Sequence, residues 1–598
     1  MHRYCLTSRT MSPELRRVTM MLCLGIICSL YPLVSCAEIK SRKEAVSLAH
    51  ISSGMANEPA VRTLEPIVTM SEKSTTCNPR HVHLSVGRNV DVTRSSMIVS
   101  FSFLSECAQQ HRKNAVGAIR VGEVGKDLSA FYLGGLDEAL SYNSSMTQHQ
   151  LNHAKNGETR YFSDVYYHIE LNDLKPGTRY QYQCLLIRGD HLSGLNLRRG
   201  QSSQYDTNYQ IVSQGNRSTF LTPPIPGEWY SPPLDRSIKF AILGDLAVRP
   251  HSRETVKNLE LSSLNTDEGR DSPELEFHKD HSKGIDCVLL AGDLAYADGD
   301  HTVWDDWLDM MSDHSFFRTI PTQVALGNHD LDHHRDDLEI AQSYETRFRM
   351  PQIRPPIREI APNDLFFPGR NEDYLQAKTF VPYQWGNAYY SFTFGPSKHI
   401  VLSSYSSFLP GSTQMKWLLS ELSSVDRRVT PWLIVMIHCP LYSTFHDHSR
   451  EIFMTEARVH LEPVFVRHSV NFVISGHLHS YMRTLPTVDS KPDPRGPIHI
   501  IQGNGGRQAN EPYRNPIEPE EFVEVRDHSM YGYGTLELCN RTHAQWKWVQ
   551  TGFNAVDEGG LNGRFEPDFG LHDEVWVLNQ LFVDYDDQVE NRNDEKDG

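Results

Sequence analysis

The chain has 598 residues, of which 39% are hydrophobic, 10% aromatic and 22% charged. That composition excludes a disordered, collagenous or membrane-bundle protein and suggests about two to four domains. The formal net charge of −17 argues against a basic nucleic-acid-binding surface, and ten cysteines are too few for a disulfide scaffold of this length.

Residues 1–37 read as a secretory signal peptide. Arg16 and Arg17 precede an apolar run from Val18 to Val34, and Ser35-Cys36-Ala37 supplies small residues for cleavage. A retained signal anchor is the alternative, because 17 apolar residues approach the roughly 17–25 that span a bilayer. Leu33-Val34-Ser35-Cys36 also has the form of a bacterial lipoprotein signal. Cleavage removes four arginines against one glutamate and takes the charge from −17 to −20. Six cysteines then remain, Cys77, Cys107, Cys184, Cys287, Cys439 and Cys539, and six allow about 15 full pairings that the sequence does not rank. Cys287 and Cys439 lie inside apolar runs and read as free core thiols. Asn143, Asn216 and Asn540 open Asn-X-Ser/Thr triplets and are glycosylation candidates in an exported protein. No later stretch is long and apolar enough to span a membrane, so no stable span is expected after cleavage.

Residues 38–77 are polar and aperiodic and read as an extension. From 78 to 224 short alternating runs recur, such as Ser96–Phe103 and Val165–Leu171, and a Pro176-Gly177 turn precedes an aromatic alternating strand. This spacing predicts an all-β sandwich serving as a scaffold, since no acids, histidines or cysteines cluster there at ligand spacing. A proline-rich linker, Leu221 to Pro233, closes it. From 235 to 552 apolar runs of five to seven residues alternate with helix-like segments, near Thr255–Leu261 and over Gln414–Val425. That pattern predicts an α/β domain. Residues 251–284 include a charged, Ser-rich surface insertion, and 553–598 read as an acidic, loose tail.

The chemistry lies in the α/β region, where one event recurs five times. A β-like apolar run stops at a small turn carrying a side chain that can bind a metal. Lys239–Leu243 runs into Gly244-Asp245, Cys287–Ala291 into Gly292-Asp293-Leu-Ala-Tyr296, and Thr322–Leu326 into Gly327-Asn328-His329-Asp330. Leu433–Ile437 runs into His438, and Phe472–Ser475 into Gly476-His477-Leu-His479. Taken singly, Gly-Asp is an ordinary turn, Asn-His-Asp a helix start, and one histidine among 29 means little. Sites in open α/β sheets form at the carboxyl ends of strands, so five such ends can converge on one crevice.

These five stretches resemble the motifs of purple acid phosphatases, within the calcineurin-like metallophosphoesterases. Gly411-Ser-Thr-Gln-Met-Lys-Trp-Leu, Asn504-Gly-Gly-Arg507 and Tyr531-Gly-Tyr-Gly534 support the likeness, which covers roughly residues 78–552. The resemblance implies an N-terminal fibronectin type III-like sandwich followed by a β-sandwich catalytic domain flanked by helices. It also implies a binuclear centre in which Asp245, Asp293, Tyr296 and His479 hold one ion. Asn328, His438 and His477 hold the other, with Asp293 bridging. Two carboxylates and a phenolate suit Fe(III), whereas neutral nitrogen and amide donors suit a divalent ion, Zn, Fe or Mn. The expected activity is acid hydrolysis of small phosphate monoesters with metal-bound hydroxide as nucleophile. A phosphodiesterase or nucleotide hydrolase and a non-catalytic binding protein are the competing readings. His329, one residue from a ligand, is expected to bind phosphate and protonate the leaving oxygen. The chain departs from the plant pattern in having Asp330 for a glutamate, and His446-Asp447-His448 where two adjacent histidines are common. Either His446 or His448 could meet substrate; His448 matches the second of the pair. A secreted or vacuolar location is expected, and a homodimer is open to the chain.

Overall fold

The computed structural model describes residues 77–88, 92–107, 115–134, 140–145, 160–188, 209–231, 236–263, 284–332, 340–351, 380–381, 383–446, 448, 451–508, 511–514, 519–553 and 572–582. The signal-like segment, most of the extension, the insertion after Ser263, Asp447 and the last residues lie outside them.

The N-terminal part is β-rich. One sheet pairs Arg80–Val86, Ser95–Phe103 and Val165–Leu174 antiparallel, and a second orders Ser218–Leu221, Arg179–Arg188, Ala115–Glu123 and Ala130–Leu133. Phe101, Phe103, Ile119, Tyr167, Tyr182 and Leu185 are buried together in one core, as expected for a sandwich whose inner faces carry alternate residues. Gly177, at φ 57, makes the turn that precedes Arg179–Arg188. Cys77 and Cys107 form a disulfide that ties the start of this region to the end of its second strand. Cys184, Cys287 and Cys439 are free and buried.

This region docks on the rest of the chain through polar contacts. Arg80 Nη2 and His81 Nε2 each reach Asp309 Oδ1 at 2.9 Å. The fully buried Arg347 donates to Tyr142 and Tyr161 at 2.7 Å and to Asp305 at 2.9 Å. Such a buried guanidinium persists because its Nη donors meet oxygens and its face meets the Tyr142 and Trp304 rings.

The second part contains two larger sheets. In one, Thr322–Val324, Cys287–Leu290 and Ile238–Leu243 run parallel, followed antiparallel by Met530–Leu538, His543–Phe553 and Glu574–Leu578. In the other, Ser397–Leu402, Trp432–Ile437, Phe472–Ser475 and Ile498–Gln502 form a parallel centre with antiparallel strands at both ends. Every residue of Cys287–Leu290, Trp432–Ile437 and Phe472–Ser475 is buried. That explains the continuous apolar runs, since both faces of these strands are covered. The sheets pack against each other: the Phe240 ring lies 5.5 Å from that of Phe394 and 4.7 Å from that of His399.

The helix expected near Thr255–Leu261 spans Pro250–Ser263, with proline in its first turn where no donor is lost. The helix Thr413–Ser424 buries Gln414, Met415, Leu418 and Leu422, and Ser412 Oγ caps it by accepting from Met415 N. One expectation needs correction. Within the segment read as a loose acidic tail, Glu574–Leu578 is an edge strand paired with His543–Phe553. The buried Asp573 accepts from Arg483 Nε and Nη2 at 2.7 Å and from the Tyr481 hydroxyl. A short Val-Trp-Val alternation and one ion pair outweigh the acidity of the surrounding sequence.

Candidate metal centre

All five motif turns sit at the carboxyl ends of strands, three from the first large sheet and two from the second. Because the sheets face each other, the turns meet in the crevice between them. The meeting is tight. A Cβ on Gly327 would collide with Asp293 Oδ1, and one on Gly476 would collide with Asp245 Oδ2. A Cβ on Gly292 would likewise collide with His438 Nδ1, so these three glycines are required by expected ligands on facing turns. Asp245 (φ 56), Asp293 (φ 52), Tyr296 (φ 57) and His477 (φ 70) occupy the left-handed region, which costs non-glycine residues on the order of 1–3 kcal/mol each. Four of the seven expected ligands are held in conformations that only the surrounding structure sustains.

The seven fall into two touching groups. In the first, the Tyr296 hydroxyl lies 2.9 Å from Asp245 Oδ1 and 2.6 Å from His479 Nε2, and His479 Nε2 lies 3.6 Å from Asp245 Oδ1. In the second, donor atoms of Asp293, His438 and His477 all lie within 4.8 Å of one another. Asn328 Oδ1 lies 3.1 Å from His477 Nδ1. The groups are joined where His477 N donates to Asp245 Oδ2 at 2.9 Å.

Several features fit this crevice to cations. His438 Nδ1 donates to the Ala291 carbonyl at 2.7 Å, which fixes the proton there. Its Nε2 is buried, has no hydrogen-bond partner and lies 3.4 Å from Asp293 Oδ2. His477 Nε2 donates to Glu451 Oε2 at 2.8 Å. His477 Nδ1 and Asn328 Oδ1 are then two lone-pair donors facing each other, the arrangement a shared cation explains. Burial, together with the Asp245 and Asp293 charges, raises the Tyr296 phenol well above its ordinary range. A highly charged cation beside the oxygen is what would permit a phenolate. Burial also raises Asp245 and lowers His477, while His479 is pushed down to about 3. His438, despite burial, is held up at about 9 by Asp293 and Asp245. The residues therefore fit a two-ion centre.

Of the two histidines expected to meet substrate chemistry, His329, expected as the acid, lies against the first group. Its ring stacks on Tyr296 with centroids 4.4 Å apart, and its backbone N–H donates to Asp293 Oδ1 at 2.8 Å. Burial works against its protonation, but Asp293 and Asp298 outweigh it and raise the imidazole pKa. His448 lies against the second group, with its ring centroid 4.5 Å from that of His477 and Nδ1 2.5 Å from Glu451 Oε1. His446 is exposed, and its backbone N–H donates to the Pro512 carbonyl at 2.7 Å.

Sequence reasoning missed the supporting groups. Asp298 Oδ1 lies 2.5 Å from His329 Nδ1, and Glu451 bridges His448 and His477. The Tyr405 hydroxyl donates to Asn328 Oδ1 at 3.0 Å. Asp330, the shortened residue, accepts from Gly327 N at 2.9 Å and Leu294 N at 2.8 Å and so clamps two ligand turns together. Burial and the neighbouring Asp293 raise its carboxyl to about 7. Asn143 and Asn216 are exposed, whereas the Asn540 side-chain nitrogen is buried and its oxygen accepts from Thr542 and His543.

Comparison with known proteins places these features. The family model of calcineurin-like phosphoesterases matches residues 238–481, and that of the iron/zinc purple acid phosphatase-like protein C matches residues 496–558. Purple acid phosphatase 21 of Arabidopsis thaliana is 28% identical over 389 residues, covering 65% of this chain and 69% of that protein. Purple acid phosphatase 18 of the same plant is 31% identical over 353 residues, covering 59% and 65%. The phosphoenolpyruvate phosphatase of Allium cepa is 30% identical over 375 residues, covering 60% and 65%. Purple acid phosphatase PPD1 from yellow lupin shares the fold, with a TM-score of 0.53 at 17% identity over 79% of this chain and 72% of that one.

Proposed function

Because the chain belongs to the purple acid phosphatases, within the calcineurin-like metallophosphoesterases, we propose that it hydrolyses phosphate monoesters with Asp245, Asp293, Tyr296, Asn328, His438, His477 and His479 as its metal ligands. The observation that carries this assignment is the convergence of Asp293, His438 and His477 donor atoms within 4.8 Å, next to the Tyr296, His479 and Asp245 group. Asp245, Asp293, Tyr296 and His479 are assigned to Fe(III), and Asn328, His438 and His477 to Zn, Fe(II) or Mn, with Asp293 shared. Held by these residues, two such ions would supply charge neutralisation for the phosphate and would acidify water enough to act as nucleophile at acid pH.

The chain's own residues do the rest. His329, its pKa raised beside Asp293 and Asp298, carries a proton at acid pH and donates it to the leaving oxygen. Asp298 fixes the orientation of that imidazole through Nδ1, so that Nε2 is the atom available to the ester. Glu451 takes the proton side of His477 and leaves Nδ1 as the donor toward the ion. His448, held by the same carboxylate and packed against His477, is assigned to contact the ester. The sandwich, residues 78–224, is assigned as a scaffold and 235–552 as the catalytic domain. A secreted or vacuolar location rests on the Arg16-Arg17 and Val18–Val34 pattern. The test is hydrolysis of 4-nitrophenyl phosphate by the purified chain before and after chelation. Chelation should abolish it and metal return should restore it; hydrolysis indifferent to chelation would defeat the proposal.

A further inference from the structure

The loop after Ile498–Gln502 carries Arg507 to the first ligand group. Gly505 N donates to the Gly244 carbonyl at 3.1 Å, and Arg507 N donates to the Asp245 carbonyl at 2.9 Å. A Cβ on Gly506 would collide with Ser252 at the start of the helix Pro250–Ser263. The loop therefore has one seat, and its arginine is tied by backbone to a ligand residue. The Arg507 guanidinium carbon lies 4.8 Å from the centroid of the Tyr296 ring. Arg507 is half-exposed, and among the described residues no side chain hydrogen-bonds or ion-pairs with its guanidinium. A cation in a chain of net charge −17, standing beside an anion-handling site and left without a carboxylate partner, is arranged for an anion from outside.

Resting on the phosphatase reading above, we propose that Arg507 is a specificity determinant that selects phosphate esters carrying a second anionic group near the scissile phosphate. The guanidinium lies over the body of the Tyr296 ring, whereas the ligand atoms gather at its hydroxyl end. It is thus offset from the scissile phosphate and suited to the leaving group. A carboxylate and a second phosphate share the planar or branched oxygens that a guanidinium fork binds in pairs. The ring beneath it holds the cation in place while leaving its donors free.

The test compares metal-reconstituted wild type with Arg507→Gln and Arg507→Lys on three substrates: phosphoglycolate, inorganic diphosphate and ethyl phosphate. In Arg507→Gln, kcat/KM for the charged substrates relative to ethyl phosphate should fall about 10- to 100-fold, mainly through KM, as expected for loss of a charge-assisted bidentate contact. Arg507→Lys should recover part of the ratio. A fall confined to phosphoglycolate assigns the contact to a carboxylate, and one confined to diphosphate to a phosphate. An unchanged ratio, or an equal loss on all three substrates, would overturn the proposal while leaving the phosphatase reading intact. Failure of wild type to hydrolyse any of the three would instead defeat that reading.

Discussion

Glu451 lies outside every motif, yet its replacement should weaken the divalent site. Its carboxylate accepts from His477 Nε2 at 2.8 Å and meets His448 Nδ1 at 2.5 Å. Burial works against its ionisation, but the two imidazoles outweigh it and hold the carboxyl at about 2. It is therefore an anion throughout the working pH range. In Glu451→Ala the buried His477 Nε2–H loses its acceptor, which costs about 1–3 kcal/mol. The imidazole also loses the partner that fixes its tautomer, an effect typically worth about 10- to 100-fold in metal affinity. The two routes agree, since each factor of ten corresponds to about 1.4 kcal/mol. Glu451→Gln keeps an acceptor oxygen without the charge and should fall between wild type and alanine. The assay is calorimetric titration of Zn(II) into iron-loaded, zinc-free protein in the presence of a competing chelator. Equal affinities for wild type and Glu451→Ala would refute the role assigned to this carboxylate.

Tyr296→Phe should remove visible absorption from the iron-loaded protein while leaving most of the fold intact, because the lost hydroxyl contacts only site residues; a persistent band would exclude Tyr296 as the iron ligand. Asp293→Asn should lower turnover by several orders of magnitude and reduce the content of both metals, and near-normal turnover would exclude it as the bridge. His329→Ala should slow esters with poor leaving groups more than activated ones, whereas equal slowing would argue against its acid role. Acid should destabilise the fold. His83 is pushed down to about 4 by burial, and His399 and His499 to about 3, so they stay neutral when folded. The unfolded chain takes up protons below about pH 6.5 and the folded chain does not, so stability falls from there toward pH 4. For His83 the loss amounts to up to about 3 kcal/mol. The melting temperature should drop between pH 7 and pH 4.5, and His83→Gln should flatten the profile; parallel profiles would contradict the assignment.

Much of the candidate site was legible because its proposed ligands stand where apolar strands end. Lys239–Leu243, Leu433–Ile437 and Phe472–Ser475 were visible as unbroken apolar runs, which burial on both faces demands, and the structure extends or matches each within one residue. The glycines before Asp293, Asn328 and His477 have a physical reason, since side chains of proposed ligands on facing turns leave no room for a Cβ. Asp298, Glu451 and Arg507 were not legible as site members, since each reaches the site through tertiary contacts from outside the ligand motifs and has no periodic neighbour. Arg507 stood in a stretch read only as support for the family likeness, although its backbone is tied to Asp245. The edge strand Glu574–Leu578 was hidden by its length, five residues set among acidic sequence.

The central claim is that two cations share one crevice and that hydrolysis needs both. It is tested most directly by measuring metal content per chain and hydrolysis of 4-nitrophenyl phosphate on the same samples during stepwise chelation and reconstitution. The account predicts that activity rises with occupancy and saturates at two ions per chain, one of them iron. Full activity at one ion per chain, or in its absence, would contradict it.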